Sequence, residues 1–401
     1  MTKIIIKFLL FFLIILIAGV FYLSYFGIKT DKFNSLIKDQ ILDKNKKIEV
    51  NLKDIKILLN LKDISINVKT INPEIIYNKN IIRLNEVITN FALKNFLYKN
   101  FTIDNLKISS KETKIQDILK IYGSIKNSPE LFILRQVIKN GYLVADINLN
   151  FDEEGKVRKD YQIKGYVKEG RLSLLNKKFI NDLNFNFEVN YKNYLLNNLS
   201  LDYNKLKFLS KSIKLEDKKK YFLIKGNLKN NKTEIDPQIL SLFFNSGIQN
   251  LSNMNINSKN NFQFKIDKKF KIKDLDIESD ISLNKTNYKL NLPKLKEYLP
   301  KFNNLIKFEG HKINLIYKKN KFIIKGKGNF LFKDNKEIIE YKIEKTKDNF
   351  NFKSIIQLNN NPLVIDFLNY KKKENVNSSI KFEGTVKKNK ELFFKNIEFI
   401  E

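Results

Sequence analysis

The chain has no cysteine, no tryptophan and a single histidine, His311. Without cysteine there is no disulfide scaffold, no thiol nucleophile and no cysteine zinc site, and any serine–histidine device would have to be built around His311. Only 13 glycines and 6 prolines in 401 residues exclude collagen-like and linker compositions. Arginine is scarce too: of 74 basic residues only Arg83, Arg135, Arg158 and Arg171 are arginine, whereas readers of bases and phosphates favour the arginine fork. The net charge of +31 is accordingly read as a lysine-coated solvated face, spread along a chain rich in Lys, Asn, Ile and Phe as an AT-rich genome would produce. No nucleic-acid partner is expected.

What is present is apolar and aromatic. Hydrophobic residues make up 43% of the chain, with 33 Phe and 17 Tyr, far more than a disordered polymer of this charge would carry. From Phe8 to Phe26 the run FLLFFLIILIAGVFYLSYF has no charge and as a helix reaches about 28 Å, close to the hydrocarbon thickness of a bilayer. The run is longer than the apolar stretch of a signal peptide, and no small-x-small cleavage site follows before Lys29, so an uncleaved anchor is expected. Lys3 and Lys7 precede it with no acidic residue, which predicts a cytoplasmic N-terminus. The expected location is therefore a bacterial inner membrane, single-pass, with the bulk of the chain in the periplasm.

Beyond the anchor, residues 29–44 are expected to form a helical stem, since Phe33, Leu36, Ile37, Ile41 and Leu42 share one face. The pattern then turns to period two. LNFNFEVNY (183–191) and FQFKI (262–266) alternate apolar and polar residues, the signature of strands with one greasy face. No Pro-, Gly- or Ser-rich boundary interrupts residues 45–401, which are expected to form one continuous β-groove domain. Short helices are expected near 115–139, at 236–247 behind the Asp236-Pro237 start signal, and at 293–306. The fold class predicted is mainly β: a transmembrane helix followed by an elongated, curled antiparallel sheet, groove or taco-like.

A weak repeat runs through the strands. Ile163-Lys164-Gly165, Ile224-Lys225-Gly226 and Ile324-Lys325-Gly326 each close an alternating segment, with Phe308-Glu309-Gly310 and Phe382-Glu383-Gly384 as variants. Their spacing is irregular, so no propeller or solenoid is indicated. Each glycine is read as a bulge or a tightly packed bend.

On these residues the chain resembles the AsmA-like family, particularly its TamB and YhdP branches. The resemblance rests on the anchor, the stem and the segment 141–191, where Ile163-Lys164-Gly165, then Gly170-Arg171-Leu172-Ser173-Leu174, then Leu183-Asn184-Phe185 look like the family's strand, turn, strand unit. It implies a periplasmic β-groove carrying phospholipid between inner and outer membranes, as bridge-like lipid transfer proteins do. Members are commonly longer, so a short member or the anchored end of a longer protein is implied.

No motif of enzyme chemistry appears. Gly326-Lys327-Gly328 lacks the third glycine of a nucleotide loop, and GxxxxGK[ST], HExxH and GxSxG are absent. His311 is read as an ordinary strand or turn histidine, and Asp152-Glu153-Glu154-Gly155 as a hairpin turn without calcium-loop spacing. No catalytic residue, metal or cofactor is expected, and the protein is not expected to be an enzyme. The candidate site is distributed: Phe185, Phe187, Val189, Phe262, Phe264, Ile266, Phe322, Ile324, Phe330 and Phe332 are expected to line a lipid-binding groove. The partners expected are phospholipid, the inner membrane and proteins of the outer membrane or envelope. The alternative is a non-enzymatic envelope scaffold with a closed β core, which would show the same alternation. An outer-membrane barrel is disfavoured by the apolar helix and by the heavy charge on the polar strand face.

Overall fold

The computed structural model describes residues 2–401 other than 33, 45, 54, 79, 93–102, 127, 175–177, 205, 239–247, 268, 270, 320, 333–334, 347–348 and 388–390. It is mainly β, with 64% of residues in strands, few short helices and one apolar N-terminal helix. Two compact units divide the chain, Met1–Leu199 and Ser200–Glu401, although composition marks no boundary there.

The first unit begins with helix α1 (Thr2–Tyr25). Its stretch Ile6–Tyr25 has a mean hydropathy of 2.7 and is long and apolar enough to cross a membrane; a helix apolar all round is suited to lipid rather than to one protein face. Gly27 ends it in the left-handed region, φ 65°, with its N–H donating to the Tyr22 carbonyl at 3.1 Å. A Cβ at Gly27 would lie 2.4 Å from the Ile57 carbonyl oxygen. The anchor is thus pressed directly onto the sheet. Instead of a helical stem throughout 29–44, strand β1 (Ile28–Thr30) pairs with β3 (Ile55–Asn60), and only α2 (Asn34–Lys44) is helical. The backbone emerging from Gly27 lies beside a free strand edge, and ladder hydrogen bonds win over helix continuation there.

The strands that follow are β2 (Ile48–Asn51), β4 (Ser65–Ile71), β5 (Glu74–Tyr77), β6 (Asn80–Ala92), β7 (Asn105–Ser110), β8 (Thr113–Lys114), β9 (Ile138–Asn150), β10 (Gln162–Ser173) and β11 (Phe179–Asn190). Their ladder runs β1-β3-β4-β6-β7-β9-β10-β11, all antiparallel. Helices α3 (Ile115–Ile125) and α4 (Pro129–Val137) stand where two were expected near 115–139. Ser128 caps α4 by accepting from the Leu131 N–H, and Pro129 occupies the first turn.

The second unit is an antiparallel meander. After β12 (Asn193–Tyr203) come β13 (Leu206–Asp217), β14 (Tyr221–Ile235), β15 (Leu251–Asp267), β16 (Ile272–Lys289), β17 (Leu305–Lys318), β18 (Lys321–Phe332), β19 (Asn335–Lys345), β20 (Phe350–Gln357), the hairpin β21 (Leu363–Ile365) and β22 (Tyr370–Lys372), then β23 (Ser379–Val386) and β24 (Leu392–Ile400). From β13 to β20 each strand pairs with the next, and β23 and β24 continue the ladder from β20. Of the helix expected at 236–247, residues 239–247 lie outside the described residues; Gln238 N–H donates to the Asp236 carboxylate at 2.9 Å, the expected cap. The helix expected over 293–306 is realised only as α5 (Leu295–Tyr298), because Phe302 turns inward as core and β17 has begun by Leu305.

Lysines occupy the polar face of this sheet. Lys327 meets Glu340 at 3.1 Å, Lys353 meets Glu383 at 3.0 Å and Lys381 meets Glu398 at 3.3 Å, each a directly paired cross-strand couple. The scarcity of glycine is offset by asparagine: left-handed positions fall at Asn72, Asn78, Asn198, Asn204, Asn253, Asn304, Asn369 and Asn375, the residue whose side chain best tolerates that region.

The recurring glycines have a more specific role than bending. Gly165 pairs with Phe187, Gly226 with Phe262, Gly326 with Tyr341 and Gly384 with Phe352. A Cβ would meet those rings at 2.8, 3.0, 2.2 and 2.6 Å, so each ring lies across a residue with no side chain. Gly310, φ 58° beside a register shift, Gly384, also at a register shift, and Gly226, at the shift between β13 and β14, sit at bulges. Gly328 makes a close backbone approach of its own, since its Cβ would fall 2.4 Å from the His311 Cα. Gly328→Ala is expected to lower stability by about 1–3 kcal/mol through overpacking, seen as a lower urea midpoint of the full chain in detergent. Gly19→Ala, with nothing within 4 Å, should leave it unchanged; an unchanged midpoint for both would refute the close packing.

Candidate functional site

Register carries one apolar row across the second unit. Phe262, Ile277, Tyr317, Phe322, Lys345, Phe350, Val386 and Leu392 are successive cross-strand partners from β15 to β24, so they share one face. A second row one step along contains Leu315, Ile324, Ile343 and Phe352. Between these rows lies a cavity of about 880 Å³, lined by Tyr317, Phe322, Ile324, Ile343, Phe350, Phe352, Phe382, Val386, Leu392 and Phe394, with Lys345 and Ser354 its only polar members. Its size falls in the range of small-molecule sites. Tyr317, Phe350, Leu392 and Phe394 remain exposed to solvent.

The same face is closed at the other end of the strands. Phe330 and Phe332, 4% and 5% exposed, join Leu299, Phe302, Leu358 and Leu363 in the main core cluster. Phe302 meets Phe332 edge-to-face at 5.5 Å. A smaller cavity of about 460 Å³ remains there, and Phe382 lines both cavities. Connection lengths explain the asymmetry. Long segments, 290–304 and 358–378, join strands at the closed end and fold over the face, whereas the strands at the other end are joined through only two, four and five residues, at 319–320, 346–349 and 387–391. Connections of that length are too short to reach back and cover a row of rings.

The ten candidate lining residues therefore divide. Phe322 and Ile324 line the open cavity. Phe330 and Phe332 line the smaller cavity and belong to the closed core, where the chain's own loops cover them. Phe262, Phe264 and Ile266 continue the apolar face on β15, and the Phe262 and Phe264 rings lie 5.8 Å apart. Phe185, Phe187 and Val189 occupy β11 in the first unit, half-buried, with the two rings 6.3 Å apart. Phe350, Phe352, Phe382 and Phe394 were missed, although FNF (350–352) and LFF (392–394) carry the same alternation.

Two polar groups lie within the apolar face. Glu337, 1% exposed, accepts from the Asn359 and Asn360 N–H groups at 2.7 and 2.8 Å and from Asn361 Nδ2 at 2.7 Å. Beside it Lys372 Nζ donates to the Asn361 and Lys373 carbonyls at 2.7 and 3.1 Å, and burial pulls its pKa down. Together they pin the segment 358–373 to the sheet. Nothing in the sequence marks Glu337, which stands at an ordinary apolar-face position of an alternating strand.

His311, 2% exposed, sits 5.6 Å from both the Phe308 and Tyr341 ring centroids, over Gly328. Its Nδ1 has no hydrogen-bond partner, and burial pushes its pKa below 6.5. No group of metal-binding side chains occurs among the described residues. The segment Asp152–Gly155 is a turn, with the Asp152 carboxylate accepting from the Glu154 and Lys156 N–H groups at 3.0 and 2.8 Å.

The histidine generates a pH prediction. As pH falls below 6.5, the unfolded chain takes up the His311 proton before the folded one, so stability is lost on acidification through that range. Glu216 and Asp267, each held down to about 2 by hydrogen bonds from Lys214 and Lys273 respectively, lose their contribution only at lower pH, below their ordinary values of 4.5 and 3.8. His311→Phe should flatten the urea midpoint between pH 7 and pH 5, and a slope that survives the substitution would contradict the assignment. No family model matches this chain, and no curated protein or solved structure is detectably similar to it.

Proposed function

We propose that the protein is an inner-membrane-anchored, periplasmic protein of the bacterial envelope that binds phospholipid along the apolar face of its sheet and conducts it between inner and outer membranes. The observation that carries the proposal is the open cavity of about 880 Å³, ten of whose twelve lining residues are apolar or aromatic. Each acyl methylene buried there gains about 0.8 kcal/mol. A lining of uniform apolarity holds a chain without fixing its position along the face, which is what sliding requires. Lys345, within the cavity lining and 5.8 Å from the Phe350 ring centroid, supplies a cation for the headgroup phosphate. The apolar helix α1 supports the anchor, the lysines before it support a cytoplasmic N-terminus, and the resemblance to AsmA-like proteins supports the periplasmic setting.

One observation favours a scaffold role as the second reading. Among the described residues β24 pairs only with β23, and its Leu392, Phe393, Phe394, Ile397 and Ile400 are exposed, so its edge can accept a strand from another protein.

Photocrosslinking in cells tests the proposal. A photoreactive residue at Phe352 or Phe394 should capture phospholipid, identified by mass spectrometry, while one at Lys353, on the opposite face, should not. Phe330 should yield only crosslinks within the protein. Protein crosslinks alone at Phe352 and Phe394 would mean a dry face and would move the scaffold reading into first place.

A further inference from the structure

The segment between β20 and β23 leaves the regular up-and-down path of the sheet, and its structure is strongly over-determined. Glu337, Asn361 and Lys372 hold both of its ends, and Ser378 Oγ donates to the Leu358 carbonyl at 2.7 Å. Yet its crest is apolar and outside. The 3₁₀ turn Asp366–Leu368, closed by Asn369 in the left-handed region, leaves Phe367 78% and Leu368 63% exposed. A loop this firmly tied could have turned those two side chains inward over the cavity of about 460 Å³, whose rim Phe367 already touches.

A second segment stands beside it. α5 packs against β21, Tyr298 lines the same cavity as Phe367, and Leu292 and Tyr298 are also exposed. Exposed lysines flank the four apolar tips: Lys294 and Lys296 on one segment, Lys371 and Lys373 on the other. Of the acidic residues there, Glu297 and Asp366 are exposed, Glu374 is paired with Lys301 at 2.7 Å, and the Glu401 carboxylate accepts from the Tyr370 hydroxyl. Pre-ordered aromatic and leucine tips within a lysine rim match an anionic bilayer, whose interface accepts the apolar groups while its phosphates attract the cations.

We infer that the paired segments around Leu292–Tyr298 and Asp366–Lys373 form a docking tip that inserts Phe367 and Leu368 into an anionic phospholipid bilayer. The buried Glu337–Lys372 network prepays the ordering of the loop, so that insertion does not bear that cost. This goes beyond lipid binding in the open cavity, which lies at the opposite ends of the strands, and either can fail without the other.

The absence of native tryptophan gives a clean test. The full chain carrying Phe367→Trp is reconstituted in phosphatidylcholine liposomes and mixed with vesicles containing phosphatidylglycerol. Doxyl-labelled lipid is placed in the host liposomes or in the added vesicles in separate experiments. The expected result is a blue-shifted emission and quenching by doxyl lipid placed in the added phosphatidylglycerol vesicles; quenching only by doxyl lipid in the host phosphatidylcholine liposomes would overturn the inference. Lys371→Glu with Lys373→Glu in the same background should weaken binding at least tenfold, as should replacing phosphatidylglycerol by phosphatidylcholine. A tryptophan at Val157, an exposed position in the first unit, controls for nonspecific contact. Unshifted, unquenched emission at position 367 would overturn the inference, as would quenching equal in anionic and zwitterionic vesicles or equal to that at position 157.

Discussion

An antiparallel sheet with one apolar face must cover that face or lend it to something else. Ring after ring in the second unit points to the same side because residues alternate and register aligns them across strands. Burying a phenylalanine fully is worth about 1.5–3 kcal/mol, so each uncovered ring withholds a comparable contribution to stability. Chain connectivity decides which rings are covered. Long connections at one end of the strands fold back over Phe330 and Phe332, and connections of only a few residues at the other leave Phe350 and Phe394 open.

Polar groups keep this division sharp. A carboxylate at Glu337 would be costly within the apolar face without partners, and its three donors come from the covering loop. The loop is thereby held at one place on the sheet. The glycines work the other way, admitting large rings close to the backbone. Phe187, Phe262, Phe352 and Tyr341 each lie over a glycine of the neighbouring strand, so the aromatic layer is flattened against the sheet.

Much of the fold is legible in the sequence because alternation is a local signal. LNFNFEVNY and FQFKI read as strands without outside help, and they are strands β11 and β15. The helices near 115–139 are legible from their apolar spacing. The stem is only half legible: α2 has a periodic face, but β1 exists because of a neighbour, Ile57, that no local pattern announces. Helix 293–306 fails for a similar reason, since Phe302 fits a helical face as well as a core plug. The candidate site divides along the same line. Alternation places Phe322 and Phe330 on one face of one strand, yet only the length and path of distant connections determine that the first is open and the second covered. The pairing of Gly165, Gly226, Gly326 and Gly384 with a ring is likewise invisible, because the partner lies on another strand at no fixed separation.

The central claim is that the apolar face around Ser354 is occupied by hydrocarbon rather than by water or by the protein itself. The cysteine-free chain allows a single spin label at Ser354→Cys, with the protein reconstituted in lipid bearing deuterated acyl chains. Electron spin echo modulation then reports which deuterons lie beside the label. The account predicts strong acyl-deuterium modulation at position 354 and none at Lys353→Cys on the polar face, where deuterated water should be seen instead. Water modulation at position 354, or no deuterium contact there at all, would contradict it.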